Sequence, residues 1–338
     1  MLKLHEFTEN INKTGFSGSI LEHEDMGSRT TMKAGGKAEL FIIPKNVESL
    51  FLAIKTSVDS SIPFFILGGG SNVIPPDGEL EAAVISTEAF DSIQILDNGH
   101  KEFSLVKCGA GVKTDDLVNF CTENGMGGLE SFAGLPGTVG GAAFMNARCY
   151  GKEMADVIDS AEFIDLDGID RIQENAENYH NFIERHLKMY HNGQSGADWA
   201  YKKSPFMQNH GIVTSLVFRA RKADIDQREP IRLECEKYIL DRKEKGHFKA
   251  PSAGSVFKND RNFGEPSGRI IDSAGLKGAK SGGAQIAPWH GNIIINCGNA
   301  KSADIKALVA IVQETVKKKT GFQLEPEIIF AEQNLHYK

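Results

Sequence analysis

Ile66-Leu67-Gly68-Gly69-Gly70-Ser71-Asn72 and Gly134-Leu135-Pro136-Gly137-Thr138-Val139-Gly140-Gly141 are the two stretches whose reading decides the fold. The first continues Pro63–Leu67, a short apolar run that reads as a buried strand. The second lies in residues 109–141, which hold nine glycines in 33 positions, against 35 in 338 for the whole chain. Glycine adds no packing and costs backbone entropy, so such density points to backbone that approaches a ligand closely. The glycine-dense segment has one basic residue, Lys113. A diphosphate there has to be held by main-chain N–H groups and neutral hydroxyls, with Ser71, Asn72 and Thr138 as added donors. Neither stretch is a G-x-G-x-x-G fingerprint or a P-loop, so the pair points to a non-Rossmann dinucleotide site. Either stretch alone reads equally well as an ordinary glycine turn.

Outward from these stretches the chain mixes short strands with well-spaced helices. Ala38–Ile43, Ala82–Ser86, Ile93–Leu96, Phe103–Cys108, Val157–Leu166 and Ile212–Arg219 read as strands. Asn46 is placed to cap a helix that carries Leu50, Ala53 and Ile54 on one face. Thr114 is expected to cap a helix to Asn124, with Gly125 beyond its end. Pro230 suits the N1 position of a helix to about Lys245, closed by Gly246. Ser302 is expected to cap an amphipathic helix with Ile305, Leu308, Val309, Val312 and Val316 on one face. A terminal strand is expected over Phe322–Phe330, while residues 1–35 read as polar and weakly periodic. The polar stretch Asp224–Glu229 reads as a linker, so the expectation is an α+β chain that breaks near residue 225.

Composition excludes several classes. Apolar residues at 41% and charged residues at 25% provide enough material for buried cores and exclude a disordered chain. The longest apolar runs, such as Leu40–Ile43 and Ile293–Ile295, fall far short of the roughly 18 residues of a membrane span. The start of the chain carries acids and no apolar signal core. Cys108, Cys121, Cys149, Cys235 and Cys297 are odd in number and widely spaced, without C-x-x-C. No disulfide framework and no metal site is therefore expected, and a cytoplasmic location is. A net charge of −7 argues against a nucleic-acid partner.

A strand ending in LGGGSN, followed some sixty residues later by AGLPGTVGGA, resembles the FAD-binding domain of the vanillyl-alcohol-oxidase type. The order of further motifs resembles one family most, the UDP-N-acetylenolpyruvoylglucosamine reductases. Thr31–Gly36 is similar to that family's N-terminal segment, and Pro251–Asn259 to its catalytic-serine motif. Ile271–Gly278 and Leu324–Glu327 are similar to its C-terminal motifs. The resemblance runs over roughly residues 28–331, and five modest motifs in the right order make it specific.

The resemblance implies a two-subdomain FAD-binding region over 1–223, a smaller α+β substrate domain over 224–320, and a terminal strand, 321–338, that returns toward the flavin. It implies tightly bound FAD, NADPH as co-substrate, and a nucleotide sugar whose enolpyruvyl double bond is reduced in peptidoglycan precursor synthesis. It implies cofactor contacts from Gly68, Gly69, Gly70, Ser71, Asn72, Leu135, Pro136, Gly137, Thr138, Gly140, Gly141 and Asn146. Ser255 matches the family's proton donor, though a Gly-Ser pair alone reads as a turn hydroxyl. Glu327 matches its catalytic carboxylate, with Glu325 two residues away as the alternative on the same strand face. Lys202 stands where the family usually has the arginine of Tyr-Arg-x-Ser. A lysine keeps the charge and loses the planar fork that grips a carboxylate.

Tyr201, Lys245, Asn259 and His290 match family substrate contacts. A helix-dipole role for Lys245 and a packing role for His290 are equally open. Ten positions separate Ser204 from Thr214, which fits the form of the family without an extra substrate-clamping insertion. The expected state is a monomer or weak homo-oligomer. The alternatives are an FAD-dependent sugar or hydroxy-acid oxidase on the same fold, and a degenerate nucleotide-sugar binding protein.

Overall fold

The structure is a computed structural model that describes residues 4–96, 99–169, 179–193, 199–208, 211–222 and 228–336. The first layer contains α1 (Leu4–Asn12), β1 (Gly18–Asp25), β2 (Lys37–Pro44), α2 (Val47–Asp59), β3 (Phe64–Leu67), β4 (Val73–Ile74) and β5 (Leu80–Ser86). Its sheet has the order β1-β2-β5-β3, with β5 parallel to both β2 and β3. Parallel pairing buries both faces of a strand, which is why β2 reads as a nearly unbroken apolar run. Asn46 caps α2 as expected, its Oδ1 accepting from the Ser49 amide at 2.8 Å. The core here joins Phe7 and Ile11 of α1 to Leu40, Leu50, Ile54, Phe64 and Ile85. Residues 1–35 nevertheless hold two elements, α1 with Phe7 and Ile11 four apart on its buried face and β1, an edge strand whose largely exposed pattern reads as polar.

The second layer begins with β6 (Ile93–Leu96), β7 (Phe103–Gly109), α3 (Thr114–Glu123), β8 (Met126–Gly127) and α4 (Val139–Phe144). A hairpin, β9 (Arg148–Cys149) and β10 (Lys152–Glu153), leads to β11 (Ile158–Ile164), α5 (Tyr179–His186), β12 (Leu187–His191), α6 (Pro205–Gln208) and β13 (Ile212–Lys222). The antiparallel sheet has the order β12-β11-β13-β7-β6, with β8 also on β13. Helix α7 (Arg228–Glu244) sends Ile231 and Cys235 into the core of this layer, beside Cys121, Leu117 and Phe218. The expected break near residue 225 thus puts α7 in the substrate domain's sequence range, whereas its buried side chains pack with the second layer. By core membership the boundary falls after α7. The expected linker, Asp224–Glu229, lies mostly outside the described residues, and Arg228 and Glu229 already belong to α7.

The third layer contains β14 (Ser252–Ser255), α8 (Ser267–Ser273), β15 (Lys280–Ser281), β16 (Ala284–Ile286), β17 (Ile293–Asn296), α9 (Ser302–Thr320) and β18 (Ile329–Phe330). Its antiparallel sheet runs β14-β17-β16-β15. Ile305, Leu308, Val312 and Val316 of α9 cover it, and Met32, Ala34 and Ile74 from the first part of the chain complete the core. Burial of each such aliphatic side chain stabilises by about 1.5–3 kcal/mol. Thr31 Oγ1 donates to the Ser252 carbonyl at 2.7 Å, and Asn296 Nδ2 donates to the Lys33 carbonyl at 2.8 Å. These bonds fix the third layer to the chain's first segments.

Two helix starts differ from expectation. Thr114 and Ser302 are first residues of their helices rather than caps. The Thr114 amide donates to the Gly137 carbonyl at 3.1 Å. Asp77 caps α9 from far away in sequence, taking the amides of Ser302 and, at 3.0 Å, Ala303. The terminal strand is also shorter than Phe322–Phe330. Pro326 lacks a donor, so residues 325–327 run beside 256–258 through isolated bonds, and only Ile329–Phe330 forms a ladder, parallel to β4.

Candidate active site

The glycine loops meet each other before they meet any ligand. A Cβ on Gly69 would lie 2.6 Å from Gly137 Cα, and one on Gly140 would lie 2.7 Å from Ala110 Cβ. Much of the glycine density is therefore demanded by loop packing, which composition alone does not separate from ligand approach. Gly70 adds a conformational requirement, with φ of +60° and its missing Cβ aimed 2.1 Å from the Arg29 carbonyl oxygen. Gly141 faces only Thr138 Oγ1, at 3.6 Å, and is free for close approach.

These loops form one wall of a cavity of about 950 Å³. Gly68, Gly69, Gly70, Ser71, Asn72, Leu135, Pro136, Thr138, Gly140 and Gly141 all line it, while Gly137 lies behind, against Ser71 and Gly69. Asn146, the remaining expected cofactor contact, stands apart from these loop residues. It is fully buried and off the lining, and both its amide hydrogens are used. Its Nδ2 donates to Glu153 Oε2 at 3.0 Å and to the Ala200 carbonyl at 2.8 Å. It therefore braces the β9–β10 hairpin and the approach to Tyr201–Lys202.

A second part of the lining is built by strand register. Between Ser252 and Ser255 the pairing of β14 with β17 slips, with Gly254 at φ +72°. A bulge of this kind re-aims the next side chain, here Ser255, which lines the cavity. The Glu327 amide donates to the Val256 carbonyl at 2.7 Å, so Glu327 sits one register step from Ser255. Its carboxylate pairs with Lys202 Nζ at 2.5 Å, both side chains about nine-tenths buried at 12% and 13% exposure. Lys202 holds a left-handed φ of +56°, a conformation that costs a non-glycine residue about 1 kcal/mol or more. Glu325 is 70% exposed and pairs with Lys258, so the two glutamates face different surroundings. Only Glu327 lines the cavity.

The four expected substrate contacts do not line the cavity. Tyr201 adjoins Lys202, and its hydroxyl accepts from the Asn259 amide at 3.2 Å. Asn259 Oδ1 is engaged by the Ser267 amide at 2.8 Å. Lys245 pairs with Asp241 at 2.6 Å on the surface. His290 accepts from the Asn292 amide at 3.2 Å and lies 5.9 Å, ring to ring, from His247.

Sequence reasoning missed several lining groups. Lys33, Arg148, Arg242 and Lys249 line the cavity with Lys202, against a single acid, Glu327. A chain of net charge −7 thus folds a cation-rich cavity. Arg242 is the most telling of them. It is 7% exposed, its Nε donates to the Ala133 carbonyl at 2.9 Å, and its buried Nη2 has no hydrogen-bond partner among the described residues. An unpaired buried donor is costly, so the site fits a ligand that offers an oxygen there. His247 also lines the cavity, and burial, with Arg242 and His290 nearby, pushes its imidazole down to about 4. Arg242, His247 and Lys249 lie in the basic run ahead of the serine motif, and Lys33 lies in the Thr31–Gly36 segment.

Among the described residues no group of three or more His, Cys, Asp or Glu is arranged to hold a metal ion. No helix among them is long and apolar enough to cross a membrane. The glycine cradle, the excess of cations and the unpaired Arg242 donor fit a flavin dinucleotide. Between Ser204 and β13 the described residues hold only α6, with no room for a long insertion.

Comparison with known proteins agrees with this architecture. Residues 38–170 match the model of an FAD binding domain, and residues 246–331 match the UDP-N-acetylenolpyruvoylglucosamine reductase C-terminal domain. The latter boundary follows α7, as the packing does. The chain is 43% identical to the UDP-N-acetylenolpyruvoylglucosamine reductase of Treponema denticola, over 93% of this chain and 94% of that one. It is 34% identical to the same enzyme of Borrelia garinii over 97% and 96%. The crystal structure of the enzyme from Thermus caldophilus superposes with a TM-score of 0.69 at 28% identity, covering 93% of this chain and 99% of that one. With the fold, the cavity and full-length relatives in agreement, the chain belongs to the UDP-N-acetylenolpyruvoylglucosamine reductase family.

Proposed function

We propose that this chain catalyses the NADPH-dependent, FAD-mediated reduction of UDP-N-acetylglucosamine enolpyruvate to UDP-N-acetylmuramate, a step of peptidoglycan precursor synthesis. The observation that carries the reading is that Ser255 and the Lys202–Glu327 pair line the same cavity as the glycine loops. FAD, when bound, supplies the two-electron carrier between NADPH and the olefin. The loops Gly68–Asn72 and Gly134–Gly141 would hold it through main-chain amides, with Arg242 as the buried cation.

The chain's own residues then have separable tasks. The Lys202 ammonium stabilises negative charge that develops beside the substrate carboxylate. The Ser255 hydroxyl delivers the proton that completes the reduction. Glu327, one register step away, orients that hydroxyl and compensates the charge of Lys202. A single-pronged lysine in place of an arginine fork costs one hydrogen bond, about 1–3 kcal/mol. The direct Lys202–Glu327 pair fixes the ammonium in the absence of that fork.

The working unit in this reading is a monomer or weak homo-oligomer. All five cysteines are unpaired, four of them buried, which suits the reducing cytoplasm where NADPH is available. The test is a spectrum. Purified protein carries flavin absorbance, loses it on anaerobic addition of NADPH, and regains it on addition of the enolpyruvyl nucleotide sugar. Bleaching by a sugar or hydroxy acid instead of NADPH identifies an oxidase, and absence of flavin uptake overturns the reading.

A further inference from the structure

Asn72 ends the glycine loop, and the expected use of its side chain is a cofactor contact. The structure gives its amide a different partner. Asn72 Nδ2 donates to the Glu327 carbonyl at 2.9 Å, across 255 positions of sequence. The Asn72 carbonyl in turn accepts from the Ile329 amide at 2.8 Å. The next residues, Val73 and Ile74, pair in register with Ile329 and Phe330. Glu327 is therefore gripped on both sides of its backbone, by Val256 through its N–H and by Asn72 through its C=O. The first grip comes from the serine strand and the second from the cofactor loop.

We propose that Asn72 is a positioning residue for Glu327, tying the loop that receives the flavin to the carboxylate on the second part of the lining. This rests on the reading of Glu327 as a catalytic group. The loop has little freedom to shift by itself. Gly70 is packed on Arg29, and its carbonyl accepts from the Thr31 amide at 3.1 Å. A two-residue link of this kind sets the distance between flavin and carboxylate, and misplacement by about 1 Å is enough to cost a large factor in rate.

The experiment separates positioning from cofactor binding and from simple folding. Asn72→Ala and Asn72→Gln are purified as holoenzymes and compared in three measurements: FAD dissociation constant, flavin reduction by NADPH, and reoxidation of prereduced flavin by the enolpyruvyl sugar. With both variants saturated in FAD, reduction by NADPH is expected to fall several-fold less than reoxidation. Reoxidation is expected to fall about tenfold or more in Asn72→Ala, the worth of one hydrogen bond, and by less in Asn72→Gln, which keeps the amide. The fall should appear in kcat rather than KM. In a double-mutant cycle, Asn72→Ala is expected to add little on a Glu327→Gln background, since the two act as one unit. Loss confined to FAD affinity, or equal loss in both half-reactions, overturns the positioning role. So does full additivity. A Glu327→Gln variant with undiminished reoxidation instead overturns the reading of Glu327 itself, so the two failures are distinguishable. If Asn72→Ala does not fold, Asn72→Gln carries the same comparison.

Discussion

The two walls of the cavity are built on opposite plans. The glycine wall has no charged side chains, and its shape comes from close packing that glycine permits, with Gly69 against Gly137 and Gly140 against Ala110. The second wall is made of side chains, a serine re-aimed by a bulge and a buried ion pair fixed by strand register. The first plan presents N–H groups without charge and suits a large ligand held permanently. The second presents one hydroxyl, one cation and one carboxylate at defined places and suits chemistry. The lesson is that damage to one wall should spare the task of the other, except at Asn72, whose side chain bonds to the Glu327 backbone and so joins the two.

Four substitutions break or sharpen that contrast, taken from the largest expected effect to the smallest. Glu327→Gln removes the carboxylate and should slow flavin reoxidation by the enolpyruvyl sugar by about 100- to 1,000-fold. FAD content and reduction by NADPH should stay near normal, as read by anaerobic stopped-flow absorbance. Gly69→Val forces a side chain into Gly137 and should weaken FAD binding by about 100-fold, measured by flavin fluorescence. Retention of tight FAD binding by that variant would show that the loops need not touch.

Lys202→Ala should slow reoxidation by about ten- to 100-fold and leave reduction nearly intact. Equal loss in both half-reactions would remove Lys202 from the chemical wall. His247 gives the smallest effect and a sign. Its folded value, about 4, lies below the ordinary 6.5, because burial disfavours the imidazolium. Between those values the unfolded chain takes up a proton that the folded chain refuses, so stability falls as pH drops from 6.5 toward 4. His247→Gln should reduce the loss of Tm between pH 7 and pH 5 by about 2 °C in a melting experiment. An unchanged pH slope would contradict the burial of a neutral ring.

The glycine wall was legible in the sequence because its signal is compositional, and the same is true of α2 and α9, whose periodic faces are their cores. What was not legible depended on contacts across the chain. Thr114 and Ser302 looked like caps, but the Gly137 carbonyl and the Asp77 carboxylate decide where those helices begin. Helix α7 precedes the serine motif in sequence, yet Ile231 and Cys235 pack with the second layer. The Asn146 side chain donates to Glu153 and to the Ala200 carbonyl, contacts across the chain that its position in the sequence does not show. Glu325 and Glu327 are equivalent as letters, and only the register beside Val256–Lys258 turns one inward to Lys202 and the other out to Lys258. Arg242 carried no motif of its own, and its burial against Ala133 appears only when the loop folds over it.

The central claim concerns Ser255 and a proton. Prereduced enzyme is mixed anaerobically with the enolpyruvyl nucleotide sugar, and the return of flavin absorbance is followed for the wild-type chain and for Ser255→Ala. The account expects reoxidation at least about 100-fold slower in the variant, with flavin reduction by NADPH unchanged. Equal reoxidation rates in the two proteins would contradict it.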